Sequence, residues 1–183
     1  MIISLTGTPG VGKSSVAGIL EKKNYRVINL VKLAIDKGFI LGYDDKRESH
    51  IVDMDKMKKY LKEMKIEGDV ILDSHLSHYV DFSDVVIVLR CRPDVLEKRL
   101  KEKGWKREKI RENVEAEALD VILSEAVEIH GRRKVFEVDT TDKCVEEVAE
   151  IVEGLIRGKV GKENYRPGKI DWSEYLVMND GTR

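Results

Sequence analysis

One stretch of the sequence, GTPGVGKS at residues 7–14, has the residue types and spacing needed to bind phosphate. It matches G-x-x-x-x-G-K-[ST], a pattern in which glycines let successive backbone N–H groups surround phosphate oxygens. Lys13 would reach the β- and γ-phosphates, and the Ser14 hydroxyl would ligate Mg²⁺. A glycine-rich turn that matches by accident is the alternative. The apolar run before the motif and the helical pattern after it favour a nucleoside triphosphate site.

The segment VILDSH at residues 70–75 places a carboxylate and a histidine at the end of an apolar run. Asp73 occupies the position from which a carboxylate holds Mg²⁺ through its water shell. His75 would point the same way and would orient an attacking water or contact the γ-phosphate, although a lone histidine is more often a structural residue. The other three histidines lack this context and are interpreted as structural: His50, His78 and His130.

Two further segments are candidates for closing over the phosphate site. Residues 101–111, KEKGWKREKIR, form a basic turn that as a lid would exclude water and offset developing charge; a solvated charged face is the alternative. Residues 30–53 lie where a second substrate would bind, at the carboxyl edge of a sheet. The pattern N-K-x-D that reads guanine is absent, which argues against a GTPase. The candidate lid cations are Arg99, Lys103, Arg107 and Arg111.

Short apolar runs alternate with longer helical patterns, which predicts the elements that would position these residues. The alternation indicates α/β architecture, with a parallel sheet between two layers of helices (α/β/α) and right-handed crossovers. The predicted strands are residues 2–6, 26–30, 69–73, 84–90 and 134–138. The predicted helices are residues 13–22, 55–64, 94–102, 108–129 and 142–156, the last with Thr141 as N-cap.

Length and composition set limits on the class of protein. The 183 residues suit one domain, and 33 basic against 34 acidic residues give no bulk charge for non-specific nucleic-acid binding. Cys91 and Cys144 are too few for a disulfide framework or a four-cysteine zinc site, so we expect reduced thiols. No apolar run reaches membrane-spanning length, and the N-terminus lacks a basic signal region. These features predict a cytoplasmic protein without a membrane partner.

Several of these segments together resemble the atypical adenylate kinases: LTGTPGVGKSS, the pair Asp73 and His75, VVIVLR, and KGWKREKIREN followed by Glu115. This family comprises the nuclear, coilin-interacting adenylate kinase isoenzyme six of eukaryotes and its archaeal counterparts. The resemblance implies a P-loop NTPase fold of the nucleoside-monophosphate-kinase type with a five-stranded parallel sheet. It also implies transfer of phosphate from ATP to AMP, additional ATPase activity, and a role in maturation of the small ribosomal subunit. The implied partners there are a platform protein of that subunit and ribosomal RNA.

The resemblance also assigns segments and residues. Residues 1–156 would form the P-loop kinase domain, with a monophosphate-binding region at 29–52 and a lid at 102–112, and residues 157–183 would be a C-terminal extension. The extension carries Trp172 and either packs on its own domain or docks on a partner. Lys13, Asp73 and His75 would be catalytic, with Ser14 and Asp73 on the metal. The residues that would bind ATP are Gly10, Gly12, Lys13, Ser14, Ser15, Lys103 and Lys143.

This chain departs from the family pattern at two places. Lys103 stands where the family commonly has an arginine on the ATP phosphates, which loses a bidentate contact. Residues 29–38 contain no arginine to grip the monophosphate, and Arg47 is the candidate substitute. Three alternatives remain open: an ATP-hydrolysing assembly factor with negligible kinase activity, a kinase of another small molecule, and a nucleotide-gated binding module.

Overall fold

A computed structural model describes residues 1–179 as an α/β/α sandwich. The strands are β1 (Ile2–Thr6), β2 (Arg26–Asn29), β3 (Ile40–Asp44), β4 (Ser49–Val52), β5 (Val70–Asp73), β6 (Val85–Arg90) and β7 (Val135–Asp139). The helices are α1 (Lys13–Lys22), α2 (Leu30–Lys37), α3 (Met54–Glu63), α4 (Pro93–Glu102), α5 (Arg107–Ala118), α6 (Val121–His130), α7 (Val145–Arg157) and α8 (Glu174–Asn179). Two short 3₁₀ helices span Ser77–Tyr79 and Lys162–Tyr165.

Five strands form one parallel sheet in the order β2-β5-β1-β6-β7. The prediction of a five-stranded parallel sheet between two helical layers is therefore confirmed. Because β1 lies at the centre of the sheet, the glycine-rich loop that follows it opens at the middle of the carboxyl edge. The end of β5 lies directly beside it, with Leu5 in register with Asp73.

The sheet is buried on both faces, as expected for a parallel sheet with crossover helices. Alternate residues of each strand point to opposite sides. Ile3, Leu5 and Ile71 pack with α1, α4 and α7 in one apolar cluster. Val70 and Leu72 of β5 pack with α2 and α3. One face of β6 packs with α6. This burial on both faces fixes the directions in which the strand ends leave the sheet.

The prediction of one helix over residues 108–129 is wrong, because the chain forms two helices, α5 and α6, in that stretch. The break falls at Leu119 and Asp120, and Asp120 adopts a left-handed conformation with φ +55°. Its carboxylate forms a salt bridge with the guanidinium of Arg90. The apolar periodicity continues through the break, so the pattern alone does not reveal it. Gly131 is the C-cap of α6.

Residues 29–52 hold structure that the sequence pattern did not predict. The second strand stops at Asn29 rather than at Leu30, because the Asn29 side chain caps α2 by accepting the Lys32 N–H at 2.9 Å. An antiparallel hairpin of β3 and β4 follows. In its turn the Asp44 carboxylate accepts the N–H groups of Lys46 and Arg47, each at 3.0 Å. The turn is therefore ordered by its own sequence.

The predicted N-cap of the last long helix is also wrong. Cys144 caps α7, and Glu147 completes a capping box by accepting the Cys144 N–H at 2.7 Å. Thr141 lies three residues earlier, and its hydroxyl donates to Asp139 and accepts the Arg92 N–H at 2.9 Å. Thr141 thus fixes the loop after β7 rather than the start of α7.

A buried ion network joins the end of β6, the last turn of α5 and the strand β7. Arg90 is 2% exposed, and its guanidinium donates to Glu117 at 2.8 Å, to Glu137 at 3.1 Å and to Asp120. Glu137 also accepts the backbone N–H groups of Lys169 at 2.6 Å and of Ile170. Burial raises the pKa of Glu137, which these donors and Arg90 oppose.

The C-terminal extension packs on its own domain, which is one of the two alternatives left open by the sequence. Arg132 donates to the Pro167 carbonyl at 2.6 Å, and the Tyr175 hydroxyl contacts Asp94 at the start of α4. Trp172 and Tyr175 are in edge-on contact, with ring centroids 6.5 Å apart. None of the helices in residues 1–179 has both the length and the apolar character that crossing a membrane requires.

Replacing Arg90 tests the importance of the buried network. We expect Arg90→Met to destabilise the fold by about 3–5 kcal/mol, because it leaves buried carboxylates without their counter-charge. Urea unfolding followed by circular dichroism measures the change. Arg92→Met is the matched control, because its exposed pair with Asp94 contributes little to stability. Equal urea midpoints for Arg90→Met and Arg92→Met would contradict the stabilising role assigned to the buried network.

Candidate active site

The glycine-rich loop after β1 adopts a conformation that only glycine tolerates well. Gly7, Gly10 and Gly12 have φ values of +137°, +99° and +106°. A Cβ at Gly7 would lie 2.4 Å from the carbonyl oxygen of Leu89, and one at Gly10 would lie 2.7 Å from the side chain of Leu100. The loop therefore rests directly on β6 and α4. Its curvature is set by close backbone packing.

Lys13, the first residue of α1, lies inside this loop. Its Nζ donates to the carbonyl of Gly7 at 2.6 Å and to that of Thr8 at 3.0 Å. Burial lowers the Lys13 pKa to about 8, and the negative charges of Asp73 and Glu117 oppose that effect. Most Lys13 side chains are therefore charged at neutral pH, and the partly desolvated ammonium is placed to bind an anion.

Ser14, in the first turn of α1, meets Asp73 and Asn29, which are the last residues of β5 and β2. Asp73 Oδ2 accepts hydrogen bonds from the Ser14 hydroxyl at 2.9 Å and from the Asn29 amide at 3.3 Å. A hydroxyl and a carboxylate in contact offer the oxygen ligands that Mg²⁺ prefers. In residues 1–179 no group of three His, Cys, Asp or Glu side chains forms a metal cage. These oxygens therefore fit a magnesium ion that takes its other ligands from water and phosphate.

Asn29 is a member of this group that the sequence analysis did not single out as a site residue. Its position was a usable signal, because it ends the strand that pairs with β5, with Asn29 in register with Asp73. Carboxyl ends of adjacent parallel strands meet at one edge of the sheet. Asn29 also caps α2, so its side chain connects α2 to the predicted metal site.

His75 lies in the loop after β5, close enough to Lys13 for their charges to interact. Burial lowers the His75 pKa to about 4, with smaller contributions from Lys13 and His78. Its imidazole is neutral at neutral pH and is able to accept a hydrogen bond from water. The structure thus brings His75 to the same edge of the sheet as Asp73.

The loop that carries His75 is fixed by a histidine that was predicted to be structural. His78 is 1% exposed, its Nδ1 lies 3.0 Å from the Thr6 hydroxyl, and its Nε2 lies 3.1 Å from Glu125. The Thr6 hydroxyl is also within 3.4 Å of the His75 carbonyl. His130 contacts the His78 carbonyl at 2.7 Å. These contacts join the end of β1 to the loop after β5.

The predicted lid cations have different surroundings. Lys103 is exposed at the end of α4, and its positive charge contributes to the lowered pKa of Lys13. Arg99 donates to the carbonyls of Thr140 and Thr141 at 3.0 and 3.4 Å. Arg99 therefore holds the loop after β7, which in turn contacts the phosphate loop through a bond from the Thr140 hydroxyl to the Val11 carbonyl.

The remaining predicted binding residues lie around the rim of the site. Ser15 is exposed in the first turn of α1, next to Ser14, and Arg107 is exposed at the start of α5. Arg111 pairs with Glu115 on the solvent side of α5. Lys143 is exposed beside the cap of α7, where its charge acts on Glu147, and it does not belong to the contacts around Lys13.

The tip of the hairpin touches the lid segment through two ion pairs. Arg47 donates twice to Glu112, at 2.8 and 2.6 Å, and Lys106 donates to Glu48 at 2.5 Å. Arg47, the predicted substitute for a monophosphate-binding arginine, is therefore held by the lid in this structure. All four side chains are well exposed, so these pairs are weak contacts that a ligand can replace.

The sequence analysis also missed a carboxylate against the phosphate loop. Glu117 on α5 accepts a hydrogen bond from the Thr8 hydroxyl at 2.5 Å. The available signal was its place seven residues after Ile110 and three after Val114, on the apolar face of the helix. An acidic residue on such a face needs a buried partner.

Comparisons with known proteins show which proteins this chain is similar to. A family model described as "AAA domain" matches residues 3–120. Three archaeal relatives carry the name "Putative adenylate kinase". The protein of Archaeoglobus fulgidus is 46% identical, over 96% of this chain and 94% of its own. The proteins of Methanosarcina barkeri and Pyrococcus abyssi are 45% and 43% identical, over 96% and 95% of this chain and 100% and 92% of their own.

Solved structures show the same fold at low sequence identity. The deoxyadenosine kinase of M. mycoides with products dCMP and a flexible dCDP has a TM-score of 0.52 and 19% identity. It covers 87% of this chain and 100% of its own. The shikimate kinase of Bacteroides thetaiotaomicron has a TM-score of 0.54 and 18% identity, over 86% and 98% of the two chains.

A methyl group at Gly7 tests the loop geometry. We expect Gly7→Ala to lose binding of AMP-PNP, a non-hydrolysable ATP analogue, because its Cβ would collide with the Leu89 carbonyl and the strained φ would cost about 1–3 kcal/mol. Isothermal titration measures the loss. Gly18→Ala is the control, since a Cβ there meets open space on α1 and alanine favours the helix. Wild-type affinity in Gly7→Ala would refute the geometry.

Proposed function

The chain belongs to the family of archaeal proteins named "putative adenylate kinase", and we propose that it transfers the γ-phosphoryl group of ATP to AMP, giving two ADP. The observation that carries this proposal is a circuit of contacts around Lys13. The phosphate loop contacts Asp73 through Ser14, and Asp73 contacts Asn29 at the start of α2. The hairpin of β3 and β4 contacts the predicted lid. Helix α5, which forms part of that lid, also contacts the phosphate loop.

The transfer breaks the bond between the β,γ-bridging oxygen and the γ-phosphorus of ATP. A phosphate oxygen of AMP forms the new bond to that phosphorus. This reaction needs alignment and charge neutralisation more than a covalent nucleophile. The loop N–H groups and the helix dipole of α1 would hold the ATP phosphates, and the Lys13 ammonium would lie against the β- and γ-phosphates.

A bound Mg²⁺ would supply positive charge that offsets the negative charge of the ATP phosphates. Ser14 would supply a hydroxyl ligand, and Asp73 would hold the ion directly or through water. Asn29 would keep the Asp73 carboxylate oriented through its amide.

The acceptor would bind between α2 and the hairpin on one side and the lid on the other. Arg47 would exchange its bond to Glu112 for the monophosphate, since a guanidinium binds carboxylate and phosphate with the same geometry. Lys103 and Arg107 of the lid would approach the ATP phosphates, and closure of the lid would exclude water. Lys143 stays a predicted ATP-binding residue.

Nucleotide turnover tests the proposal directly. With ATP, AMP and Mg²⁺ we expect two ADP per cycle, formed only when AMP is present, with little free phosphate. Lys13→Ala should lower this rate by at least about 100-fold, because a charge that stabilises the transferred group is lost. Coupled assays of ADP and of phosphate follow the two products separately. The proposal fails if ADP formation does not depend on AMP, or if Lys13→Ala keeps wild-type turnover.

ATP hydrolysis is a second candidate activity, favoured by the state of His75. This side chain is neutral at neutral pH and lies near Lys13, so it would orient a water toward the γ-phosphate. Phosphate release that is insensitive to AMP would make hydrolysis the main activity, with kinase transfer negligible.

Substitution of His75 separates the two activities. We expect His75→Ala to lower phosphate release by about 100-fold and to lower ADP formation from ATP and AMP much less, because only hydrolysis needs the water. His75→Gln, which retains a hydrogen-bonding group, should recover part of the hydrolysis. The measurement is single-turnover release of phosphate and of ADP. An equal loss of both activities would make His75 a phosphate contact.

The resemblance to the atypical adenylate kinases carries a further proposal about biological role. It implies work in maturation of the small ribosomal subunit, with a platform protein and ribosomal RNA as partners. These partners stay predictions that rest on the sequence motifs. Co-sedimentation of the protein with small-subunit precursors, with and without ATP, tests them.

A further inference from the structure

Glu117 is a buried carboxylate that contacts the phosphate loop and the sheet at the same time. It lies in the last turn of α5 and is 3% exposed. Its Oε2 accepts the hydrogen bond from Thr8, while its Oε1 accepts the Arg90 Nε–H at 2.8 Å and the Cys91 N–H at 3.1 Å. Each oxygen of this carboxylate is therefore directed at a different element, the loop on one side and the end of β6 on the other.

The bond to Thr8 acts on the part of the loop that holds Lys13. Thr8 is 2% exposed, and its carbonyl accepts the Lys13 Nζ–H at 3.0 Å. A hydroxyl that donates to an ionised carboxylate forms a charge-assisted bond, which is shorter and stronger than a neutral one. The side chain of Thr8 thus fixes the position of a carbonyl that orients the catalytic ammonium.

Charge balance for Arg90 does not by itself require Glu117. The Arg90 guanidinium also contacts Glu137 and Asp120. Glu117 differs from these two because its second oxygen leaves the network and reaches the phosphate loop. Glu117 also lies on the same helix as Glu112, which contacts the hairpin tip. One helix therefore carries the contact to the hairpin and the contact to the loop.

We infer that Glu117 is a positioning residue for ATP: its carboxylate holds Thr8, and through the Thr8 carbonyl the Lys13 ammonium, in the arrangement that receives the β- and γ-phosphates. The inference rests on the proposed function in taking ATP as the ligand. Glu117 contacts the loop through the Thr8 hydroxyl, and its negative charge also acts on the Lys13 ammonium.

Removal of the Thr8 hydroxyl is the sharpest test, because valine keeps the shape of threonine. We expect Thr8→Val to raise the Kd for AMP-PNP by about tenfold, since Glu117 loses a buried donor and the loop loses its anchor. The KM for ATP should rise while the KM for AMP is unchanged. Thr8→Ser, which keeps the hydroxyl, should recover most of the affinity. Wild-type affinity in Thr8→Val would overturn the inference.

A double-mutant cycle shows whether the two side chains act through one bond. We expect Glu117→Gln to weaken AMP-PNP binding, and Thr8→Val to add nothing further in that background. If the loss of affinity in the double variant equals the product of the losses in the two single variants, the inference is overturned. Glu128→Gln, an equal loss of charge at an exposed site on α6, is the control and should bind as wild type. If Glu117→Gln does not fold, Thr8→Ala replaces it as a second variant, and it must match Thr8→Val in affinity.

Two readouts separate this inference from its simplest competitors. A merely structural Glu117 would lower the unfolding temperature and leave the Kd of the folded protein unchanged, which would overturn the inference. Binding of AMP-PNP requires no acceptor. A wild-type protein that transfers nothing to AMP would therefore refute the proposed function, while the Thr8 and Glu117 titrations would still decide the role of Glu117.

Discussion

The buried guanidinium of Arg90 is the interaction on which the arrangement of the site depends. A charge removed from water is costly unless carboxylates and further hydrogen bonds surround it, and here three carboxylates from α5, the α5–α6 break and β7 do so. Meeting that requirement fixes where α5 ends, because Asp120 must leave the helical conformation to reach Arg90. It also orders part of the C-terminal extension, whose N–H groups complete the coordination of Glu137. The end of β6 thereby becomes the common anchor of the lid helix, the last strand and the extension.

The phosphate loop shows a different balance, because the surroundings of Lys13 only partly offset the cost of burying its charge. Lys13 is buried among backbone carbonyls and close to Asp73, but burial still lowers its pKa to about 8. An anion in the loop would replace the solvation that folding removed from this ammonium, as the phosphates of the proposed nucleotide would. The neighbouring His75 is neutral for the same reason, since burial disfavours its charged form. One buried edge of the sheet therefore supplies both an anion-binding cation and a neutral imidazole.

The contacts between the hairpin and the predicted lid are weaker than those of the Arg90 network and of the phosphate loop. Arg47 with Glu112 and Lys106 with Glu48 are exposed pairs, and such pairs contribute little to stability. A weak junction suits segments that must open for substrate and close for transfer, because the phosphates are then able to outcompete the carboxylates. The buried Arg90 network below it has no such freedom. The molecule thus combines buried contacts behind the phosphate loop with exposed contacts between the hairpin and the predicted lid.

The sequence by itself determined the five strands, the sheet class, and the roles expected for Lys13, Ser14 and Asp73, because strand period and motif spacing are local properties. It did not reveal the break at Asp120, the hairpin after α2, or the partnership of Thr8 with Glu117. Apolar periodicity runs unchanged through residues 108–129, so a break made by a salt bridge to a distant arginine leaves no local trace. Thr8 and Glu117 are 109 residues apart in the chain. Only the tertiary structure brings such groups together, since long-range contacts are decided by how the core packs and by which buried charges must be paired.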